Sequence, residues 1–349
     1  MHDTFDPNAP SSAEGIFGLS HKPEDSRVVL IPVPWEATVS YGSGTGDGPA
    51  AILRASHQVD LLDRDTSKPY ESGIAMLPIS ETVHAWSEEA KGLAATIIEK
   101  GGTRGDPHLE TNLERVNHLG RLLNGWVANE TRAWLECDKI VGIVGGDHSV
   151  PLGAIAAIAD KYPGLGILHI DAHADLRVAY EGFTFSHASI MDNVIREVPT
   201  VAKLVQVGIR DYCEQEDNAI KESAGRIKTF FESDVRRELL DAGSWRRVCN
   251  RIVAELPETN YISFDIDGLD PALCPNTGTP VPGGLSFAEM VVLLRTLVDS
   301  GRKIVGFDLV EVAPDPTGVS DWDGNVAARV LYKLIGFSLM SNRGFPRAA

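Results

Sequence analysis

Basic residues are scarce in this chain of 349 residues, in which 32 Lys and Arg stand against 49 Asp and Glu for a formal net charge of -17. Proteins bind nucleic acids largely by neutralising phosphates with Lys and Arg, so this balance argues against a nucleic-acid partner. A negative field attracts small cations, and it also keeps a protein soluble. The charge therefore disfavours one class of partner and is compatible with a small cationic substrate.

Cysteines and long apolar runs are also rare. The four cysteines, Cys137, Cys213, Cys249 and Cys274, include no CxxC pair and are too sparse for a disulfide-stabilised secreted domain. The first ten residues are acidic and turn-forming where a secretion signal needs basic and then apolar residues, and no apolar run approaches the length of a membrane span. We therefore expect a cytoplasmic protein with reduced thiols and no membrane association.

Apolar runs of strand length alternate with amphipathic segments of helical length over most of the chain. Residues 1–25 are rich in Pro, Ser, Asp and Gly, which predicts a flexible N-terminal arm, and 26–349 form one predicted domain. Strands are predicted at 27–34, 139–145, 165–171, 203–209, 226–232, 260–266 and 303–311, and helices from 50 and at 86–100, 109–130, 151–161, 187–197, 214–224, 243–255, 286–299 and 323–340. This alternation is typical of a mostly parallel sheet covered on both faces, so we predict a single three-layer α/β/α domain.

Side chains that commonly bind metals follow three of the predicted strands. In parallel sheets, ligands gather at the carboxyl ends of the strands, and carboxylates buried close together are destabilising unless a cation lies between them. One such cluster alone is equally compatible with turn-forming Asp or a helix cap, but three at equivalent strand ends favour a divalent metal site. The candidate ligands are His148, Asp171, His173, Asp175, Asp265 and Asp267.

The three clusters belong to longer motifs, GGDHS at 145–149, DAHAD at 171–175 and SFDIDGLDP at 263–271. In order and spacing these resemble the signature motifs of the ureohydrolases, the arginase and agmatinase family, and the resemblance extends from about residue 27 to the C-terminus. It implies an arginase-like fold and two divalent ions in each subunit. The implied ligands are His148, Asp171, Asp175 and Asp265 for one ion and Asp171, His173, Asp265 and Asp267 for the other. An oxygen-rich set with two imidazoles suits Mn²⁺ and also accepts Ni²⁺.

The same resemblance implies three catalytic roles. Asp175 would orient a water that the two ions make acidic. His187 would carry a proton to the leaving amine, a task for which an imidazole is well suited, and Glu311 would hold the planar guanidinium group through two N–H bonds. His169 lies on the same strand face as Asp171. We expect it to be a packed or capped imidazole, and the alternative is that it supports a metal ligand from behind.

The substrate is expected to be guanidine or a small guanidino compound, cleaved to urea plus ammonia or an amine. Ala188 stands where arginases and many agmatinases have Gly after the shuttle histidine, and the segment 176–182 lacks the Asn and Ser by which arginases bind an amino-acid head group. Alternatives are agmatine, cleaved to putrescine and urea, and formimidoylglutamate, whose carboxylates Arg177 could bind. A non-catalytic scaffold subunit is the alternative of another class. The resemblance also implies a homo-oligomer, a trimer or hexamer, and leaves open an additional paralogous subunit.

Overall fold

Eight strands form one sheet in the computed structural model, which describes residues 6–8, 14–39 and 41–342. All of the strand pairs are parallel, and the order across the sheet is β2-β1-β3-β8-β7-β4-β5-β6. The strands are β1 (Val28–Val33), β2 (Ile74–Met76), β3 (Ile140–Gly145), β4 (Leu165–Ile170), β5 (Val201–Val207), β6 (Ile227–Phe230), β7 (Thr259–Asp265) and β8 (Lys303–Val310).

Helices cover both faces of the sheet, which confirms the predicted three-layer α/β/α architecture. They are α1 (Gly48–Ser56), α2 (Glu81–Lys100), α3 (Pro107–Glu136), α4 (Leu152–Lys161), α5 (Ile190–Glu197), α6 (Glu214–Glu222), α7 (Glu232–Leu240), α8 (Trp245–Glu255), α9 (Phe287–Asp299) and α10 (Trp322–Ser341). One apolar core joins the sheet to α1, α8, α9 and α10, and a second joins it to α2, α3, α4 and α5. Strands buried on both faces favour apolar residues at every position, which explains the continuous apolar runs of β1 and β3.

The strand order places the three predicted motifs side by side. The four strands at the centre of the sheet are β3, β8, β7 and β4, and these are the strands whose carboxyl ends lead into the candidate ligands and Glu311. The chain passes from β3 to β4 across the two positions that β8 and β7 later fill. In an open parallel sheet, such a change in strand order opens a crevice at the carboxyl edge, where ligands bind.

The structure differs from the sequence prediction at β2, at α7 and in the N-terminal segment. Strand β2 has only three residues, and α7 buries only Val235, so neither has an apolar period long enough to be recognised. Of the predicted arm, residues 1–5 and 9–13 lie outside the described residues, but Ile16 and Phe17 are buried. The ring of Phe17 packs edge-on against Tyr332 of α10 at 4.8 Å, so this part of the arm is packed on the domain.

None of the helices in the described part of the chain is long and apolar enough to cross a membrane.

Candidate metal centre

The six candidate ligands come together at the carboxyl edge of the central strands. His148 lies in the loop after β3, while Asp171, His173 and Asp175 follow β4. Asp265 is the last residue of β7, and Asp267 lies in the 3₁₀ turn behind it. All of them are buried except His173, which is partly exposed.

One group of ligand atoms surrounds the imidazole of His148. Its Nδ1 atom lies 2.9 Å from Asp171 Oδ2, 3.1 Å from Asp175 Oδ2 and 3.3 Å from Asp265 Oδ2. Neighbouring ligands of a small divalent ion with bonds near 2.1 Å are about 3 Å apart, so these separations match the edges of a metal coordination shell. Nδ1 has no hydrogen-bond partner of good geometry among the described residues although it is buried. A cation between the four atoms would satisfy it.

A second group of ligand atoms adjoins the first through Asp171. His173 Nδ1 lies 3.5 Å from Asp171 Oδ1 and 3.0 Å from Asp267 Oδ2. Asp171 thus turns one oxygen toward each group, as a bridging carboxylate does. Asp171 Oδ1 also accepts a hydrogen bond from the amide of His173 at 2.6 Å. Asp265 has the same local arrangement, because its Oδ2 joins the first group while its Oδ1 accepts a hydrogen bond from the amide of Asp267 at 2.8 Å. Its predicted bridging role stays a prediction.

The electrostatics of the cluster favour positive charge between its carboxylates. Burial and then repulsion from Asp171 raise the pKa of Asp175 to about 7. Burial, with repulsion from Asp267, raises the pKa of Asp265 well above its ordinary value of 3.8. Burial lowers the pKa of His148, but the three carboxylates around it outweigh burial and raise that pKa. Protons or metal ions must supply the compensating charge, and an oxygen-rich set with two imidazoles fits hard divalent ions.

His169 is in direct contact with this cluster. It is fully buried, and its Nε2 lies 2.8 Å from Asp171 Oδ2. Burial lowers the pKa of His169, which favours the neutral ring. The contact agrees with the alternative expectation, that His169 lies against a metal ligand on the same strand face. The sequence left both expectations open because the side-chain direction of a strand residue shows which face it occupies but not which atom it touches.

Glu311 follows β8 and lies beside the first group of ligands. Its Oε1 accepts a hydrogen bond from the amide of His148 at 2.7 Å. Burial, and then repulsion from Asp147, raise the pKa of Glu311 well above its ordinary value of 4.5. Glu311 and Asp175 both have left-handed backbone conformations, with φ of 61° and 54°. Such conformations are unfavourable for residues other than Gly and tend to occur at functional sites.

A cavity of about 130 Å³ opens on the cluster. His187 lines it at the start of a short 3₁₀ helix, with its ring 6.2 Å from that of Tyr180. Burial and then repulsion from His173 lower the pKa of His187 to about 4, although part of its surface faces the cavity. Arg177 also lines the cavity, with its guanidinium 5.2 Å from the centre of the Tyr180 ring and 3.9 Å from Glu216 Oε2.

Glu36 fixes the glycine-rich loop that precedes α1. The Glu36 Oε2 atom accepts hydrogen bonds from the amides of Gly44 at 2.7 Å and Gly46 at 3.0 Å. The amide of Gly42 in turn donates to the carbonyl of Gly278 at 3.0 Å. Gly278 lies next to Glu311, because a Cβ atom placed on Gly278 would be 3.2 Å from Glu311 Oε2. Through its hydrogen bond to Gly278, the loop is therefore close to the residue predicted to hold the substrate.

Comparison with known proteins gives matches along nearly the whole chain. The sequence model of a protein family, described as Arginase family, matches residues 26–336. N(1)-aminopropylagmatine ureohydrolase of Thermus thermophilus is 30% identical over 322 residues, which cover 92% of this chain and 94% of that protein. An agmatinase of Bacillus cereus is 30% identical over 306 residues, 86% and 88% of the two chains. The crystallised proclavaminate amidino hydrolase from Streptomyces clavuligerus superposes with a TM-score of 0.71 at 23% identity, covering 95% of this chain and 99% of that one.

These matches agree with the geometry at the carboxyl edge of the sheet. The family uses a binuclear metal centre. Two adjoining groups of described residues could hold metal ions, His148, His169, Asp171 and Asp175 in one and Asp171, His173 and Asp267 in the other, and Asp265 adjoins the first through His148. The structural superposition independently supports the arginase-like fold. The chain therefore belongs to the arginase family and is a ureohydrolase, a metal-dependent hydrolase of guanidino C–N bonds.

Proposed function

We propose that this ureohydrolase cleaves guanidine or a small guanidino compound to urea plus ammonia or an amine. The main support is the cavity of about 130 Å³ beside the candidate ligands. Arg177, stacked on Tyr180, fills its wall and leaves little room for a long substituent. The cation on Arg177 also repels a second positive charge, such as the terminal amine of agmatine.

The chemistry needs a strong nucleophile and a proton for the leaving nitrogen. Two divalent ions, when bound, make a shared water acidic enough to attack near neutral pH. Glu311 would hold the guanidinium through charge-assisted hydrogen bonds, and Asp175 would accept a hydrogen bond from the attacking water. As the water oxygen bonds to the guanidino carbon, the C–N bond breaks, and His187 would carry a proton from that water to the departing nitrogen.

The ions are proposed to be Mn²⁺ or Ni²⁺, held by the six ligands in the two groups. No thiolate belongs to either group, which argues against metals that select sulfur ligands. The first group, His148, Asp171, Asp175 and Asp265, would hold one ion through the unpartnered Nδ1 of His148. The second group would hold the other ion through His173 and Asp267, with Asp171 shared.

Agmatine is the second candidate substrate. The observation in its favour is the similarity to proteins named agmatinase and N(1)-aminopropylagmatine ureohydrolase, each 30% identical to this chain. Both of those names denote substrates with an aminoalkyl chain on the guanidino group. The repulsion from Arg177 described above places agmatine behind guanidine.

The test is urea release across a panel of guanidine, methylguanidine, agmatine and arginine, with enzyme reconstituted separately with Mn²⁺ and Ni²⁺. Formimidoylglutamate belongs in the panel, with formamide as its diagnostic product. We expect the highest kcat/KM for guanidine or methylguanidine. Strong turnover of agmatine with none of guanidine would reject the proposed substrate, and metal analysis showing fewer than two ions in each chain would reject the catalytic assignment in favour of a scaffold subunit. Asp265→Asn is the control, with an expected loss of metal and roughly 1,000-fold of rate.

The assembly and location follow from the same proposal. We propose a cytoplasmic homo-oligomer, a trimer or hexamer, with a paralogous subunit as a possible additional partner. The four cysteines are all unpaired, which agrees with a reducing compartment. Light scattering coupled to size-exclusion chromatography would measure the mass of the assembly, and a monomer at micromolar concentration would contradict the proposed state.

A further inference from the structure

A row of polar side chains crosses the sheet beneath the candidate metal centre, one from each of five neighbouring strands. His169 in β4 is the register partner of Gln206 in β5, and Gln206 is the partner of Thr229 in β6. On the other side, His169 is opposite Ser263 in β7, which is opposite Asp308 in β8. All but Thr229 are fully buried. We call these five residues the polar row.

The orientation of the Gln206 amide follows from its neighbours. Its nitrogen lies 2.7 Å from the carbonyl oxygen of Ala174, and its oxygen lies 2.8 Å from the hydroxyl of Thr229. A carbonyl can only accept a hydrogen bond, so the nitrogen of Gln206 must face Ala174, whereas the Thr229 hydroxyl can donate to the amide oxygen. The reverse orientation would bring two carbonyl oxygens together. The Gln206 amide is therefore fixed at both ends.

This orientation also determines the tautomer of His169. The Gln206 nitrogen lies 3.1 Å from His169 Nδ1, and its second hydrogen is available for that contact, so Nδ1 must accept. A neutral imidazole that accepts at one nitrogen carries its hydrogen on the other. His169 Nε2 thus donates to Asp171 Oδ2 at 2.8 Å, which is the carboxylate shared by the two groups of ligands.

The other half of the polar row approaches His148. The hydroxyl of Ser263 lies 2.9 Å from His148 Nε2, on the side of the ring opposite the three carboxylates. His148 Nδ1 and Asp171 Oδ2 lie 2.9 Å apart, so the row contacts two adjacent ligands from below. Buried polar groups of this kind destabilise a protein unless they have partners, and within the polar row Gln206 is the partner of both His169 and Thr229.

We propose that Gln206 is a positioning residue of the metal centre: by fixing the tautomer of His169, it holds Asp171 in the orientation that binds both ions. This inference rests on the proposed function, because it requires the two groups to bind metal. Neither Gln206 nor Thr229 belongs to the three sequence motifs. Hydrogen bonds to metal ligands commonly change metal affinity by about 10- to 100-fold.

The test measures Mn²⁺ affinity and stoichiometry by isothermal titration calorimetry of the chelator-stripped, full-length protein. Gln206→Leu is expected to weaken Mn²⁺ binding by about 10- to 100-fold. Thr229→Val removes only the outer hydrogen bond, so we expect a loss of roughly fivefold, as for one net hydrogen bond. The Thr229→Val variant keeps the inference testable if Gln206→Leu does not fold. The matched control is Asn260→Leu, which removes another fully buried amide from the opposite end of β7.

A double variant distinguishes positioning from a general loss of packing. Since Gln206 acts through His169, adding Gln206→Leu to His169→Phe should weaken Mn²⁺ binding no further, within about twofold. The inference fails if Gln206→Leu and Thr229→Val both bind Mn²⁺ like the wild type. It also fails if Asn260→Leu, at the melting temperature of Gln206→Leu, loses as much Mn²⁺ affinity as Gln206→Leu does. It fails as well if the affinity losses of Gln206→Leu and His169→Phe add in the double variant. A wild-type protein that binds no Mn²⁺ or Ni²⁺ would instead overturn the proposed function.

Discussion

The carboxylate of Glu311 accepts a hydrogen bond from the backbone amide of His148 at 2.7 Å. The residue proposed to hold the substrate is thereby tied to the loop that carries a proposed metal ligand. His148 in turn lies within 3.3 Å of three carboxylates through Nδ1. A guanidinium held by Glu311 and an ion held by His148 would therefore share one group of contacts between the ends of β3 and β8.

Glu311→Gln should separate substrate binding from metal binding. The new amide oxygen can still accept from the His148 amide, but the charge that attracts a guanidinium is lost. We expect kcat/KM to fall by about 100-fold, or roughly 3 kcal/mol, as for a charge-assisted hydrogen bond removed from a buried site. Steady-state kinetics and metal analysis on the same preparation measure both effects. A kcat/KM within threefold of the wild type, or a loss of bound metal, would contradict this assignment.

His187 should remain neutral throughout the working pH range. Its pKa is lowered to about 4 by burial and by repulsion from His173, so the ring takes up a proton only as the pH falls toward 4. Between pH 5.5 and 8.5, His187→Asn should therefore reduce kcat by a constant factor of about 100. The measurement is the pH profile of kcat for both proteins. An inflection near pH 6.5 that disappears in the variant would show that the imidazole titrates in this range.

The parts of the fold that the sequence predicted are those with strong local signals. Strands β3, β4, β7 and β8 are largely buried and mostly apolar, and their observed bounds lie within one residue of those predicted at every end. Strand β2 escaped prediction because three residues carry no usable period. Helix α7 escaped because it buries one side chain.

The site was predictable to a similar extent and for a related reason. The candidate ligands follow apolar strands of a predicted parallel sheet, and the carboxyl ends of such strands meet at one edge, so their convergence could be expected. Gln206 and Thr229 were not identified because their relation to His169 depends on the register between β4, β5 and β6. Register is a property of paired strands, and a single strand carries no record of it.

Metal removal should reverse the pH dependence of stability. In the metal-free protein the folded-state pKa of Asp175 is about 7, above its ordinary value of 3.8. A carboxyl with a raised pKa stabilises the folded state when protonated, and this stabilisation is lost as the pH rises through 7. We therefore expect the melting temperature of the chelator-treated protein to increase from pH 8.5 to pH 6.5. The metal-loaded protein should show the opposite trend, because its ligands must lose protons to bind metal.

Asp175→Asn is the control for this measurement, made by differential scanning fluorimetry with and without excess chelator. The amide cannot titrate, so the metal-free variant should show a weaker pH dependence than the metal-free wild type. Lower pH also reduces the general repulsion from a net charge of -17, and this contribution is the same in both proteins apart from the one residue. Equal slopes for the two proteins would show that Asp175 does not carry the effect.

Substitution of Arg177 should extend the range of substrates. Arg177 lies over Tyr180 in the wall of the cavity and pairs with Glu216 at 3.9 Å. Arg177→Ser would enlarge the cavity, remove a positive charge and leave Glu216 without its basic partner. All three changes favour agmatine, whose aliphatic chain ends in a second cation. We expect the ratio of kcat/KM for agmatine to that for guanidine to rise at least about 10-fold, since each 1.4 kcal/mol gained by the transition state is tenfold.

The matched control is Arg237→Ser, which removes an exposed arginine from α7 and lowers the net charge equally. Both variants make the net charge more negative by one and so change the general attraction for cations to the same degree, which leaves only a local effect of Arg177 to change the ratio in one of them. Initial rates of urea release with each substrate provide the measurement. If the ratio stays at its wild-type value in Arg177→Ser, the size and charge of this wall do not select the substrate. Selection by the glycine-rich loop beside Glu311 would then be the next explanation to test, through Glu36→Gln, which weakens the bonds that hold Gly44 and Gly46.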